Sequence, residues 1–98
     1  MDFIVSEKET KNGLLLVITD SDIINKTFEE GKKQLDLTKK FYVGNEKTEQ
    51  EVKDLIKTAY ILHLTGEHAV KLAHSLGLVE KVITIKNVPH AEVVLEAS

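Results

Sequence analysis

The sequence predicts an α/β (α+β) domain with a mixed sheet, opened by an N-terminal β-hairpin and closed by a C-terminal βαβ unit. Three observations carry this prediction. Phe3-Ile4-Val5 and the run from Leu14 to Thr19 flank Asn12-Gly13, the dipeptide that most readily takes the positive φ angles of a tight hairpin turn. Val52, Leu55, Ile56 and Ala59 recur at i, i+3, i+4 and i+7, behind a Thr48–Glu51 pair with capping-box spacing. Finally, Tyr60–Leu64 and Val82–Ile85 enclose a helical pattern that ends at Gly77.

Taken in order, the hairpin's second strand is apolar at five consecutive positions, Leu14–Ile18, so it is expected at the centre of the sheet with both faces covered. That coverage calls for a helix on each side, or for a helix and a partner subunit. Asp20-Ser21-Asp22 offers an N-cap and an acidic first turn for a short helix through Asn25. From Lys26 to Asn45 the periodicity weakens, and an edge strand is expected around Gln34–Leu37. The helix behind Thr48 leads into the Tyr60–Leu64 strand. Thr65-Gly66 then turns the chain into a second helix whose apolar face is Ala69, Val70, Leu72, Ala73 and Leu76. After Val82–Ile85, Asn87-Val88-Pro89-His90 is expected to turn the chain into a last strand at Val93–Leu95.

Composition bounds the function. Ninety-eight residues form a single domain (1–98) that can bury one core without metals or disulfides. With 42% apolar and 30% charged residues neither a disordered tail nor a membrane-spanning helix is expected, and the longest apolar run is far short of a membrane span. The absence of cysteine removes disulfides, thiolate metal sites and thiol catalysis. With no signal-peptide pattern at Met1-Asp2, a cytoplasmic location is expected. All thirteen basic residues are lysine. Sequence-specific DNA reading is therefore not expected, because arginine is the residue suited to bidentate contacts with guanine; backbone binding stays open.

Four segments carry a family resemblance: Lys26-Thr27-Phe28-Glu29-Glu30-Gly31, Phe41-Tyr42-Val43-Gly44, Gly66-Glu67-His68-Ala69-Val70-Lys71-Leu72-Ala73 and Val88-Pro89-His90-Ala91. In order and approximate spacing they resemble an archaeal family catalogued as domain of unknown function 424, over nearly the whole chain. Two positions depart from the expected pattern: valine at 43 in place of a second glycine, and histidine at 68. The resemblance implies a link to translation and brings no catalytic residue.

The candidate chemistry is sparse. Of the four histidines, His68 and His74 stand six apart, roughly 240° around one helix, and cannot ligate together. No metal and no cofactor is expected. His90, behind the rigid Pro89, is the leading polar residue, with Glu67 and His68 as its companions across the fold. The bland reading gives His90 a backbone-satisfying role in a turn. Thr65-Gly66-Glu67-His68 opens a helix, where free N–H groups attract anions, yet Glu67 already supplies the negative charge and repels phosphate. Gly31, Gly44, Gly66 and Pro89 are read as backbone-shaping residues. Lys32-Lys33 and Lys39-Lys40-Phe41-Tyr42 interleave lysine pairs with aromatics, the composition of a surface that holds a nucleic-acid backbone and stacks a base. Against this, Glu29, Glu30 and Asp36 dilute the charge, and Phe41 suits a core.

No serine lies in a nucleophile-elbow context, and no linear motif implies a mechanism. The leading expectation is a non-catalytic binding or interaction module that contacts RNA or a translation-related complex. The alternative is a small enzyme or ligand-binding protein with a cleft near His90, Glu67 and His68. A homo-oligomer is the third class, expected if a large apolar face stands exposed.

Overall fold

The N-terminal runs pair as anticipated. In the computed structural model, which describes residues 2–79 and 81–95, β1 (Phe3–Thr10) and β2 (Gly13–Asp20) form a hairpin. It runs in unbroken antiparallel register from Phe3↔Asp20 to Thr10↔Gly13. The two loop residues are Lys11 and Asn12, one position earlier than the expected Asn12-Gly13 turn, and of that dipeptide only Gly13 takes a positive φ. Gly13 opens β2 at φ 135°, where a Cβ would strike that of Tyr60.

Beyond β2 the chain does not form the short helix expected at Asp20–Asn25. Turns take its place, closed by Ile23 N–H to Asp20 O and Lys26 N–H to Ile23 O, with Asn25 at φ 68°. Asp20 is diverted to another helix, as described below. The weakly periodic stretch that follows contains a separate two-stranded hairpin, β3 (Thr27–Glu30) and β4 (Lys33–Asp36). A single 3-10 turn at Lys40–Tyr42 and a short β5 (Asn45–Lys47) complete it.

Helix α1 (Glu49–Ile56) starts on the full capping box: Thr48 Oγ1 accepts from Glu51 N–H, and Glu51 Oε1 accepts from Thr48 N–H. It buries Val52 and Ile56. β6 (Ala59–Thr65) then runs parallel to β2. Helix α2 (Glu67–Ser75) buries Ala69, Val70, Leu72 and Ala73. It ends in a Schellman motif: Gly77, at φ 73°, donates to His74 O, and Leu78 donates to Ala73 O. β7 (Ile83–Ile85) and β8 (Val88–Val94) form the last hairpin. The turn between them is Lys86-Asn87, both at positive φ, so Val88, Pro89 and His90, expected in the turn, already belong to β8.

The main sheet has the order β5-β1-β2-β6-β8-β7. β6 and β7 are each antiparallel to β8 and therefore parallel to one another, so β6-α2-β7 is the predicted βαβ unit with β8 lying between its strands. β2 is central, and Leu16 through Asp20 are buried. The expectation of a helix on each side is corrected. Both helices pack on one face, against Phe3, Val5, Leu16, Ile18, Leu62 and Leu64. The other face is covered at one end by the β3–β4 hairpin and the 3-10 turn. There Leu35, Leu37 and Val88 form a second cluster with Ile23, Phe28, Tyr42 and Ile85 around them. A helix is not required, because four-residue strands and one turn supply enough apolar surface for that half of the sheet. Among the described residues no helix is long and apolar enough to cross a membrane.

Candidate functional site

β2 and β6 end together, and a cleft opens beyond their carboxyl ends, the position where open α/β sheets hold ligands. It has a volume of about 190 Å3 and is lined by Asp20, Asp22, Ile23, Gly66, Glu67, His68, Asn87, Val88 and Pro89. Asp20, the last residue of β2 and only 2% exposed, reaches the first turn of α2. Its Oδ2 accepts from His68 N–H at 2.9 Å and its Oδ1 from Ala69 N–H at 2.8 Å. Asp20 is therefore the N-cap side chain of a helix that begins 47 residues later. The local cap position is Gly66, at φ 110°, where a Cβ would lie 2.3 Å from Asp20 Cγ. Pro89 O accepts from Gly66 N–H at 2.9 Å and ties β8 to the same junction.

This arrangement settles what the helix start can do. Two of its N–H groups, those of His68 and Ala69, are taken by an internal carboxylate, and Asp22 and Glu67 add negative charge that disfavours a phosphate there. Burial pushes the Asp20 carboxyl above the ordinary aspartate value of 3.8, against the pull of the two N–H groups and of His68, while Asp22 adds to the rise.

Of the three residues expected to converge, Glu67 and His68 line this cleft and His90 does not. The pairing of β6 with β8 sets Thr65 opposite His90 and His63 opposite Glu92, and both pairs bond on the helix-free face. Thr65 Oγ1 and His90 Nδ1 are 2.9 Å apart, and His63 Nε2 lies 3.0 Å from Glu92 Oε2. The two imidazole centroids are 6.0 Å apart. His90 is held below the ordinary histidine range, first by burial and then by His63, with Glu92 pulling the other way. The sequence reading named His90 but not His63 or Glu92. Their pairing depends on strand register, and two residues 29 apart in sequence carry no local signal. Among the described residues no group of three or more His, Cys, Asp or Glu side chains is placed to hold a metal ion.

The lysine-aromatic segment divides between surface and interior. Lys32 and Lys33 sit at the tip of the β3–β4 hairpin beside Gly31, and Lys39 and Lys40 on the turn after it; all four are exposed. None forms an ion pair among the described residues. Their acidic neighbours accept internal hydrogen bonds and keep their charge, and the Asp36 carboxyl is held below the ordinary aspartate value of 3.8 by Thr38 first and by Lys39 as well. Glu30 Oε1 accepts from Lys86 N–H at 2.9 Å, Glu29 Oε1 from Gln34 Nε2 at 3.3 Å, and Asp36 Oδ1 from Thr38 and Thr27. Phe41 and Tyr42 are half-buried. Phe41 meets Tyr42 and His63 edge-on, with ring centroids 5.1 Å apart in each pair, and Lys8 Nζ lies 5.5 Å from the Phe41 centroid. Tyr42 joins the second cluster, where burial raises its phenol above 10.0. Gly44 lies so close to β1 that a Cβ would overlap the Val5 carbonyl, which fixes the end of this segment against the sheet.

A small α+β domain with a helix-covered face, a lysine-bearing hairpin on the other and a shallow acidic cleft is the class of protein that fold and site define. The chain belongs to the family described as protein of unknown function (DUF424), which matches residues 7–95. A similar solved structure is an uncharacterized conserved protein from Methanopyrus kandleri, 14% identical, with a TM-score of 0.77 over 100% of this chain and 96% of that one. That likeness shows the fold. No curated protein matches the chain.

Proposed function

We propose that this domain is a non-catalytic interaction module of the cytoplasm that contacts RNA within a translation-related complex, through the β3–β4 hairpin and the turn after it. One observation carries the reading: the chain's charge is segregated. Residues 26–42 hold five lysines against three carboxylates, in a protein whose net charge is −3, and those three carboxylates are occupied by internal hydrogen bonds. Lys32, Lys33, Lys39 and Lys40 are left to face solvent from a hairpin and turn braced on the sheet. Such a surface binds by charge and shape and reads no sequence. The aromatic half of the motif does not extend it, since Phe41 and Tyr42 are committed to internal packing.

The test is a tagged pull-down from native lysate, with and without ribonuclease and at low and high salt. Recovery of ribosomal or initiation components that vanishes with ribonuclease and with salt, and is abolished by Lys39→Glu with Lys40→Glu, is the expected result. Recovery of the tagged chain alone sinks the reading.

A second reading rests on the cleft. Its floor is a buried carboxylate and its wall is Ile23, Val88 and Pro89, a lining that suits a small neutral or cationic ligand. Chemical-shift mapping with a primary-amine series and with inorganic phosphate separates the cases. Shifts at Gly66, His68 and Asn87 with amines but not phosphate support a ligand site, and no shift with either rejects it.

A further inference from the structure

On the helix-free face, the turn that carries Lys39 and Lys40 is seated on a cluster of titratable groups. Phe41 stands edge-on to His63, His63 Nε2 meets Glu92 Oε2 at 3.0 Å, and the His90 ring lies 6.0 Å from that of His63. Lys8 Nζ, on β1, lies over the Phe41 ring, 5.5 Å from its centroid. The groups that face His90 are Thr65 and His63 on β6, Glu92 on β8, Ile83 on β7, and Lys81, which lines the groove shared by His90 and Glu92. Among the described residues in this cluster, Glu92 is the only carboxylate.

One carboxylate therefore serves two imidazoles. Glu92 Oε2 is already paired with His63 Nε2. A protonated His90 has no carboxylate of its own: Thr65 Oγ1 accepts from its Nδ1–H but carries no charge, and the charged neighbours of His90 other than Glu92 are cations or a second imidazole.

We propose that His63, His90 and Glu92 form a pH-sensitive clasp: near neutrality it seats Phe41 and its lysine-bearing turn on the sheet, and a proton on His90 draws Glu92 away from His63 and unseats the turn. The competition is electrostatic, and like charges at this separation repel strongly in a half-buried site. Burial together with His63 delays that proton to acid conditions, so the clasp is closed at neutral pH and opens below it. Opening exposes the Phe41 ring beside Lys39 and Lys40. The clasp stands apart from the RNA reading, because its test contains no RNA.

The test follows the NOE between the Phe41 and His63 rings in the full chain, from about pH 7.5 to about pH 5, while the ring protons of both histidines are titrated. The expected result is a several-fold loss of that NOE, with a midpoint that follows His90, and with the β1–β2 amides unmoved. His90→Gln, which keeps a partner for Thr65 but takes no proton, should hold the NOE constant across the range. A constant NOE in the wild type, or a loss that persists in His90→Gln, overturns the clasp. Should that variant fail to fold, the wild-type comparison decides alone: a midpoint that does not follow His90 is equally fatal.

Discussion

Thr19 and Asp20 are neighbours on β2, both buried, and their polar atoms fare differently. Asp20 finds two N–H groups on α2, whereas the Thr19 hydroxyl, opposite Thr65 in register, has no partner among the described residues. A buried hydroxyl without a partner costs about 1–3 kcal/mol, so Thr19→Val, of nearly the same shape, is expected to raise stability by about 1 kcal/mol in urea unfolding. Gly66→Ala should do the reverse. The added methyl meets a carboxylate pinned by two hydrogen bonds, at a φ that alanine avoids, and the expected loss is about 2–4 kcal/mol by the same measurement. Asp20 also titrates in an unusual direction. Its folded value lies above 3.8, so its contribution to stability is full below 3.8 and is lost as pH rises through the folded value.

Among the elements, α1 is the one whose start depends on local sequence alone. Thr48→Ala removes the side-chain acceptor of the capping box and is expected to cost about 1 kcal/mol, read from the shift in urea midpoint. Glu51 adds an acid signature to that helix. Bonds from the Thr48 backbone N–H and side chain hold its carboxyl below 4.5, so its contribution is present above that value and lost as pH falls through the folded one.

The same contrast between local and distant partners explains what could be read in advance. The capping box, the Gly77 terminus and the hairpin near Asn12-Gly13 were legible because each is written within a few residues, and the βαβ order because its elements follow one another along the chain. Asp20 was legible as a cap but not as the cap of α2, whose N–H groups lie 48 and 49 residues away. The apolar run of β2 announced that both faces are covered without saying by what, and short strands of mixed polarity covered one of them. His90 could be singled out beside Pro89, but its separation from Glu67 and its place beside His63 follow from strand register, which single-sequence periodicity does not encode.

For the molecule as a whole, the helix-free face carries His90 and the four exposed lysines of the β3–β4 hairpin and the turn after it. His90 has its folded value below 6.5, so its contribution to stability is complete above that value and is lost as pH falls from there through the folded value. Urea midpoints should therefore decline on going from neutral to mildly acid pH, and the decline should shrink in His90→Gln. On the same face, the functional account rests on four exposed lysines that form no ion pair among the described residues.

The measurement that bears most directly on this account is the affinity for single-stranded RNA as a function of salt, for the wild type and for Lys39→Glu with Lys40→Glu. Four phosphate contacts predict a log–log slope of about −3, which should fall to about half that value or less when two lysines are reversed. A weak, salt-independent affinity, or a slope unchanged by the substitutions, would contradict the assignment of these lysines to RNA.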